Sequence, residues 1–196
     1  MKFYGLTGGI ASGKSAVTKI LRDEGIEVLD MDQISRDVLQ PGSPGLEHIV
    51  DTFGAGYITL DGSLDRKKLA DLVFNDKIEL AKLDNLMGPL MWDDVVRQRE
   101  AASGDLVFLD AALLIEKGMH EHVDGIVLVT APVDVRVRRA MKRDRASEAQ
   151  IRARMSAQMD DEEKRRLANF VIENTGTVQE LRGQVLTVLE NLCEPF

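Results

Sequence analysis

The chain has 196 residues, with 25 Lys or Arg against 33 Asp or Glu for a formal net charge of −8, and 44% of it is hydrophobic. That length and balance fit one domain, or one core with an insertion, and exclude disordered, collagen-like and fibrous chains. No apolar run reaches the roughly 20 residues of a membrane span, while one cysteine, Cys193, and no secretory hydrophobic stretch at Met1 point to a cytoplasmic protein without a membrane partner.

KFYGL (2–6) reads as a short buried strand. TGGIASGKS follows, and then AVTKILRDEG, where Val17, Ile20 and Leu21 recur at helical spacing until Gly25 stops them. IEVLD (26–30) is a second strand whose end delivers Asp30 and Asp32. Two strands flanking a helix predict a parallel sheet with its chemistry at the C-terminal edge. From 33 to 104 the pattern turns helical, with Ser43-Pro44 capping one helix, Asp65 opening another, and DKIELAKLDNLM continuing until Gly88-Pro89 breaks it. Only YITL (57–60) reads as a strand there. LVFLD (106–110) and GIVLVT (125–130) resume the buried sheet. Pro132 starts a helix through Arg145, and Ser147 with Gln150 makes a capping box for a second charged helix extending to about Arg166. Residues 136–166 concentrate eleven Lys or Arg against six acids, a pattern that suits a small polyanion better than a nucleic acid. NFVI (169–172) is the last strand, and Thr177 with Glu180 caps the final helix.

Residues 8–15, GGIASGKS, satisfy G-x-x-x-x-G-K-[ST] between a strand and a helix. Glycines let the backbone through Gly9, Ile10, Ala11, Ser12, Gly13 and on to Ala16 curl its N–H groups toward one phosphate, Lys14 reaches the outer phosphates, and Ser15 is the candidate Mg²⁺ ligand. The loop alone leaves kinase, ATPase and GTPase open, although the guanine-reading Asn-Lys-x-Asp pattern is missing. A small-molecule kinase further needs a base, positive charge over the transferring phosphoryl, and an acceptor-binding element. Asp32 is the candidate base at the sheet edge, or else the N-cap of a helix from Gln33. Arg139 and Arg143, four apart, are candidate lid arginines closing over the phosphates. Asp110 resembles a magnesium-holding strand-end carboxylate but also an ordinary turn residue. His48, His120 and His122 lack metal-ligand spacing, and Trp92 and Tyr57 read as packing.

Taken together, GLTGGIASGKSAV, VLDMDQISRDVLQPG, LLIE (113–116), RRAMKRD with RMSAQ, and ANFVIENTG resemble the dephospho-CoA kinase family over nearly the whole chain. The resemblance implies an α/β three-layer P-loop core with a parallel sheet (1–32, 105–135, 167–196), a helical CoA or acceptor domain (33–104) and a helical lid (136–166). It implies ATP and Mg²⁺ with dephospho-CoA as acceptor; small-molecule partners without nucleic acid, and a monomer or small homo-oligomer, are the matching expectation. Asp32 matches the family's base, Lys14 and Ser15 its phosphate and magnesium contacts, Arg139 a lid arginine, and Asn174 with Gly176 a segment near adenine. The chain departs from the family at Gly88 and Ala112 in acceptor-facing segments, and at Ala11, Ala16 and Asn169.

Overall fold

The computed structural model describes residues 1–193, apart from the Cys193 side chain, so the expectation placed on that thiol lies outside the described residues. The chain divides into two units, Met1–Val28 together with the chain from Ser103 onward, and Leu29–Ala102. In chain order the first unit opens with β1 (Lys2–Gly8), α1 (Lys14–Asp23) and the start of β2 (Glu27–Asp30), inside which the division falls. The second unit holds α2 (Met31–Asp37), α3 (Pro44–Phe53), α4 (Arg66–Asn75) and α5 (Lys77–Ala101). The first unit then resumes with β3 (Leu106–Asp110), β4 (Gly125–Thr130), α6 (Val133–Asp144), α7 (Glu148–Ser156), α8 (Asp161–Leu167), β5 (Phe170–Glu173) and α9 (Val178–Cys193).

The sheet has the order β2-β3-β1-β4-β5, and β1 pairs in parallel with both β3 and β4, as β4 does with β5. Every residue of β3 and β4 is buried, which only strands covered on both faces can be. Over one face, Val17 and Leu21 of α1 meet Leu181, Val185 and Leu189 of α9 on Leu6, Phe108 and Val127 of the sheet. Each such side chain contributes about 1.5–3 kcal/mol by leaving water. In register, Leu6 stands opposite Asp110 and Gly8 opposite Val129, so the loop after β1 emerges beside the ends of β3 and β4.

The second unit has its own core, in which Leu46 and Ile49 of α3 pack with Leu69 and Val73 of α4 and Met87 of α5. Its helix starts are side-chain capped by Asp30, Ser43, Asp65 and Asp76. No helix among the described residues is long and apolar enough to cross a membrane.

Three readings of the sequence are corrected. Gly88-Pro89 does not break the helix, because α5 runs for 25 residues with Pro89 inside it. The lost backbone donor weakens the ladder, but Leu83, Leu86 and Met87 on one side and Met91 on the other pack in one cluster and hold both halves. The expected strand at 57–60 is only an isolated bridge between Ile58 and Leu64. Asp61 turns the chain there: hydrogen bonds from the Thr59 hydroxyl first, then from Ser63, hold its carboxyl down to about 2. The charged helix after Ser147 ends at Ser156 and restarts at Asp161. Asp160 caps the new start by accepting from the Glu162 N–H at 2.8 Å, and the Met159 N–H donates to Glu116 Oε1 at 3.2 Å. Fully buried Lys164 lies 2.7 Å from the same Glu116 oxygen and anchors α8.

Candidate phosphate-binding site

The loop between β1 and α1 turns sharply enough to need positive φ at two places, +57° at Ala11 and +100° at Gly13. Gly13 is required twice over, because a Cβ there would run into the Asn174 side-chain amide. Ser12 N–H closes a turn onto the Gly9 carbonyl at 3.1 Å, and Ala16 N–H bonds the Gly13 carbonyl at 2.9 Å. No side chain caps α1 at Gly13. The N–H groups of Lys14 and Ser15 at the helix start and the helix dipole are therefore left to an anionic ligand, as the motif requires.

Lys14 leaves the first turn of α1 and pairs with Asp110 Oδ1 at the end of β3. Thr18, one turn further on, donates to Asp110 Oδ2 at 2.5 Å, so both oxygens of this 7%-exposed carboxylate are engaged. Ser15 is exposed, and its hydroxyl makes no hydrogen bond among the described residues. Asn174, just past β5, donates from Nδ2 to the Ser12 carbonyl at 2.9 Å, and its own N–H is tied to Thr130 O at 2.8 Å. Arg139 of α6 donates from Nη2 to the Asn174 carbonyl at 3.2 Å. Its buried Nη1 and the buried Ser12 Oγ have no partner among the described residues. A loop with vacant helix N–H groups, an adjacent lysine and an arginine with an unused donor is suited to bind a polyphosphate.

Gly9, Ile10, Ala11, Ser12, Gly13, Lys14, Ser15 and Ala16 thus lie in one loop and helix turn, with Asn174 and Arg139 bonded to each other beside it. Gly176 lies two residues beyond Asn174, where a Cβ would meet the Glu180 carboxylate. That carboxylate closes the capping box of α9 by accepting from Thr177, and those bonds lower its pKa. Arg143 is not held with Arg139: it turns to Asp144, which Arg154 of α7 also reaches at 2.8 Å. The Arg143 hydrogen bond, aided by Arg154, holds the Asp144 carboxyl down to about 2, and the same bond raises Arg143.

Sequence reasoning missed Thr18, Arg136 and Gln158. Gln158 Oε1 accepts from the Ile10 N–H at 3.0 Å, and Arg136 Nε donates to the Ile10 carbonyl at 2.9 Å. A threonine one turn after the loop lysine was a readable signal for Thr18, but nothing local marks a contact made 126 or 148 residues away.

In the second unit, Asp30 rather than Asp32 caps α2. Its Oδ1 accepts from Asp32 N–H at 2.9 Å and Gln33 N–H at 3.0 Å. Asp32 is exposed, and its carboxylate makes no hydrogen bond or ion pair among the described residues. Tyr57 packs edge-on against Phe53, with ring centroids 6.3 Å apart.

No group of three His, Cys, Asp or Glu among the described residues could hold a metal ion as a cage. The free Ser15 hydroxyl with the Asp110 carboxylate is a hard-oxygen donor set that fits Mg²⁺, which takes few protein ligands and keeps waters and phosphates for the rest.

The parallel sheet, the loop-then-helix phosphate cradle and the lysine beside a strand-end carboxylate define a P-loop nucleotide-binding protein. The family model for dephospho-CoA kinase matches residues 3–180. A dephospho-CoA kinase from Carboxydothermus hydrogenoformans is 40% identical, over 97% of this chain and 94% of its own. Among solved structures, TT1252 from Thermus thermophilus has a TM-score of 0.86 at 37% identity, covering 98% of both chains. The dephospho-CoA kinase from Campylobacter jejuni has a TM-score of 0.72 at 28% identity, again covering 98% of both. The chain belongs to the dephospho-CoA kinase family.

Proposed function

We propose that this protein transfers the γ-phosphoryl group of ATP to the ribose 3′-hydroxyl of dephospho-CoA, giving CoA and ADP. The observation that carries the reading is the uncapped N-terminus of α1 behind GGIASGKS, with Lys14 at its first turn, in a chain matched by one kinase family over residues 3–180. Within residues 9–16, the N–H groups not already bonded to Gln158, Gly9 O or Gly13 O, together with the Lys14 ammonium, bind the ATP phosphates. Asn174 and Gly176 lie toward the base, and Arg139 places its unpaired Nη1 over the transferring group, where charge spreads on the phosphoryl oxygens. Mg²⁺, when bound, supplies neutralisation of the phosphate oxygens; Ser15 would hold it, with Asp110 behind it through water. Asp32 accepts the 3′-hydroxyl proton as that oxygen bonds to phosphorus and the bond from phosphorus to the ADP oxygen breaks. The helical unit takes the acceptor, and residues 136–166 act as a lid that excludes water. The reading is of a cytoplasmic enzyme, monomer or small homo-oligomer, with small molecules as its partners.

Incubation of the purified protein with Mg-ATP and dephospho-CoA tests it by mass spectrometry. The acceptor should gain the mass of one phosphoryl group while one ADP appears per product. ADP formation without an acceptor product would sink the transferase reading.

A further inference from the structure

Residues 136–166 grip the phosphate loop from outside at one residue, Ile10, through the peptide groups on either side of it. The Ile10 N–H is taken by Gln158 at 3.0 Å, and the Ile10 carbonyl receives Arg136 Nε at 2.9 Å. The gripping groups come from separate parts of the segment, Arg136 in α6 and Gln158 between α7 and α8. Ile10 and Ala11 also pack against Val137, Ala140 and Ile151, so the outer limb of the loop shares a small core with α6 and α7.

Arg136 is only 4% exposed. It pairs with Asp161, which also accepts from the Thr130 hydroxyl at 3.2 Å, so its charge is balanced inside the protein. Gly9 leaves it room, because a Cβ there would overlap the guanidinium. A buried, neutralised arginine bonded to a backbone carbonyl is not one that travels to a phosphate.

The loop needs holding. Ala11, next to Ile10, sits at φ +57°, a conformation disfavoured for any residue with a Cβ. Such strain persists where the surroundings over-determine the backbone. We infer that Arg136 and Gln158 are positioning residues for ATP, fixing the peptide groups on either side of Ile10 so that the loop is already shaped for a phosphate before ligand arrives. The inference rests on the reading of this loop as the ATP site. It divides the basic segment by role: Arg136 and Gln158 shape the loop, and Arg139 faces the ligand.

The test compares Gln158→Met, which keeps length and removes the acceptor, with Gln150→Met, which breaks the capping box of α7 without touching the loop. Mg-ATP binding is read by titration calorimetry without any acceptor, alongside steady-state kinetics and thermal melting. Gln158→Met should lose about five- to tenfold in Mg-ATP affinity, the worth of one hydrogen bond. Its KM for ATP should rise in step, with kcat at saturation kept. Gln150→Met should bind Mg-ATP within about twofold of the unaltered protein even though its helix start is weakened. Unchanged affinity in Gln158→Met, or equal losses in both variants, would overturn the clamp while leaving the ATP site standing. No Mg-ATP binding by the unaltered protein would overturn both.

Discussion

Lys14, Asp110 and Thr18 form a closed set in which the ammonium takes one carboxylate oxygen and the hydroxyl the other. ATP must compete with Asp110 for Lys14, which a polyanion with several charges at one end can do. Asp32 is in the opposite situation. The sequence allowed it to be spent as an N-cap, and the structure gives that task to Asp30, leaving the Asp32 carboxylate uncommitted. Asp32→Asn preserves shape and removes the base. The expected result is Mg-ATP affinity within about twofold of the unaltered protein and a fall in kcat of about 10²–10⁴, the usual weight of general base catalysis. Turnover close to that of the unaltered protein in a rapid-quench assay would withdraw Asp32 from that role.

Elements were legible where local chemistry decides them. Strand, glycine loop and helix follow one another from Lys2 to Asp23, and the caps at Ser43, Asp65 and Ser147 stand where the sequence put them. Reading failed where packing overrides local preference, as at Pro89, or where a distant side chain intervenes, as at Met159 under Glu116. The same split holds in the site. The loop residues announce themselves by spacing, whereas Gln158 and Arg136 meet Ile10 only through the fold. The unbroken α5 gives a prediction of its own. Gly88 lies in its interior with open space where a Cβ would be, so Gly88→Ala gains helix propensity without a clash. It should stabilise the protein by about 0.5–1 kcal/mol and raise the melting midpoint by roughly 2–4 °C. A lower midpoint would mean that α5 needs a flexible point beside Pro89.

Across the whole molecule, charge is sorted rather than spread. Much of the basic segment is paired within itself or to the core: Arg138 with Asp134, Arg152 with Glu148, Arg154 with Asp144, and Arg165 with Glu173. Arg139 differs, because its Nη1 is buried with no partner among the described residues. At the phosphate loop itself the positive groups are Lys14, paired with Asp110, Arg136, paired with Asp161, and Arg139, bonded to the Asn174 carbonyl. A small phosphorylated ligand fits that arrangement, and family membership points to which one. The most direct measurement is ADP release with Mg-ATP across a panel of acceptors at equal concentration: dephospho-CoA, adenosine, a nucleoside monophosphate and shikimate. Dephospho-CoA alone should stimulate release, saturably and with CoA as product. Comparable or greater stimulation by another acceptor, or none by dephospho-CoA despite measurable ATP binding, would contradict the proposed function.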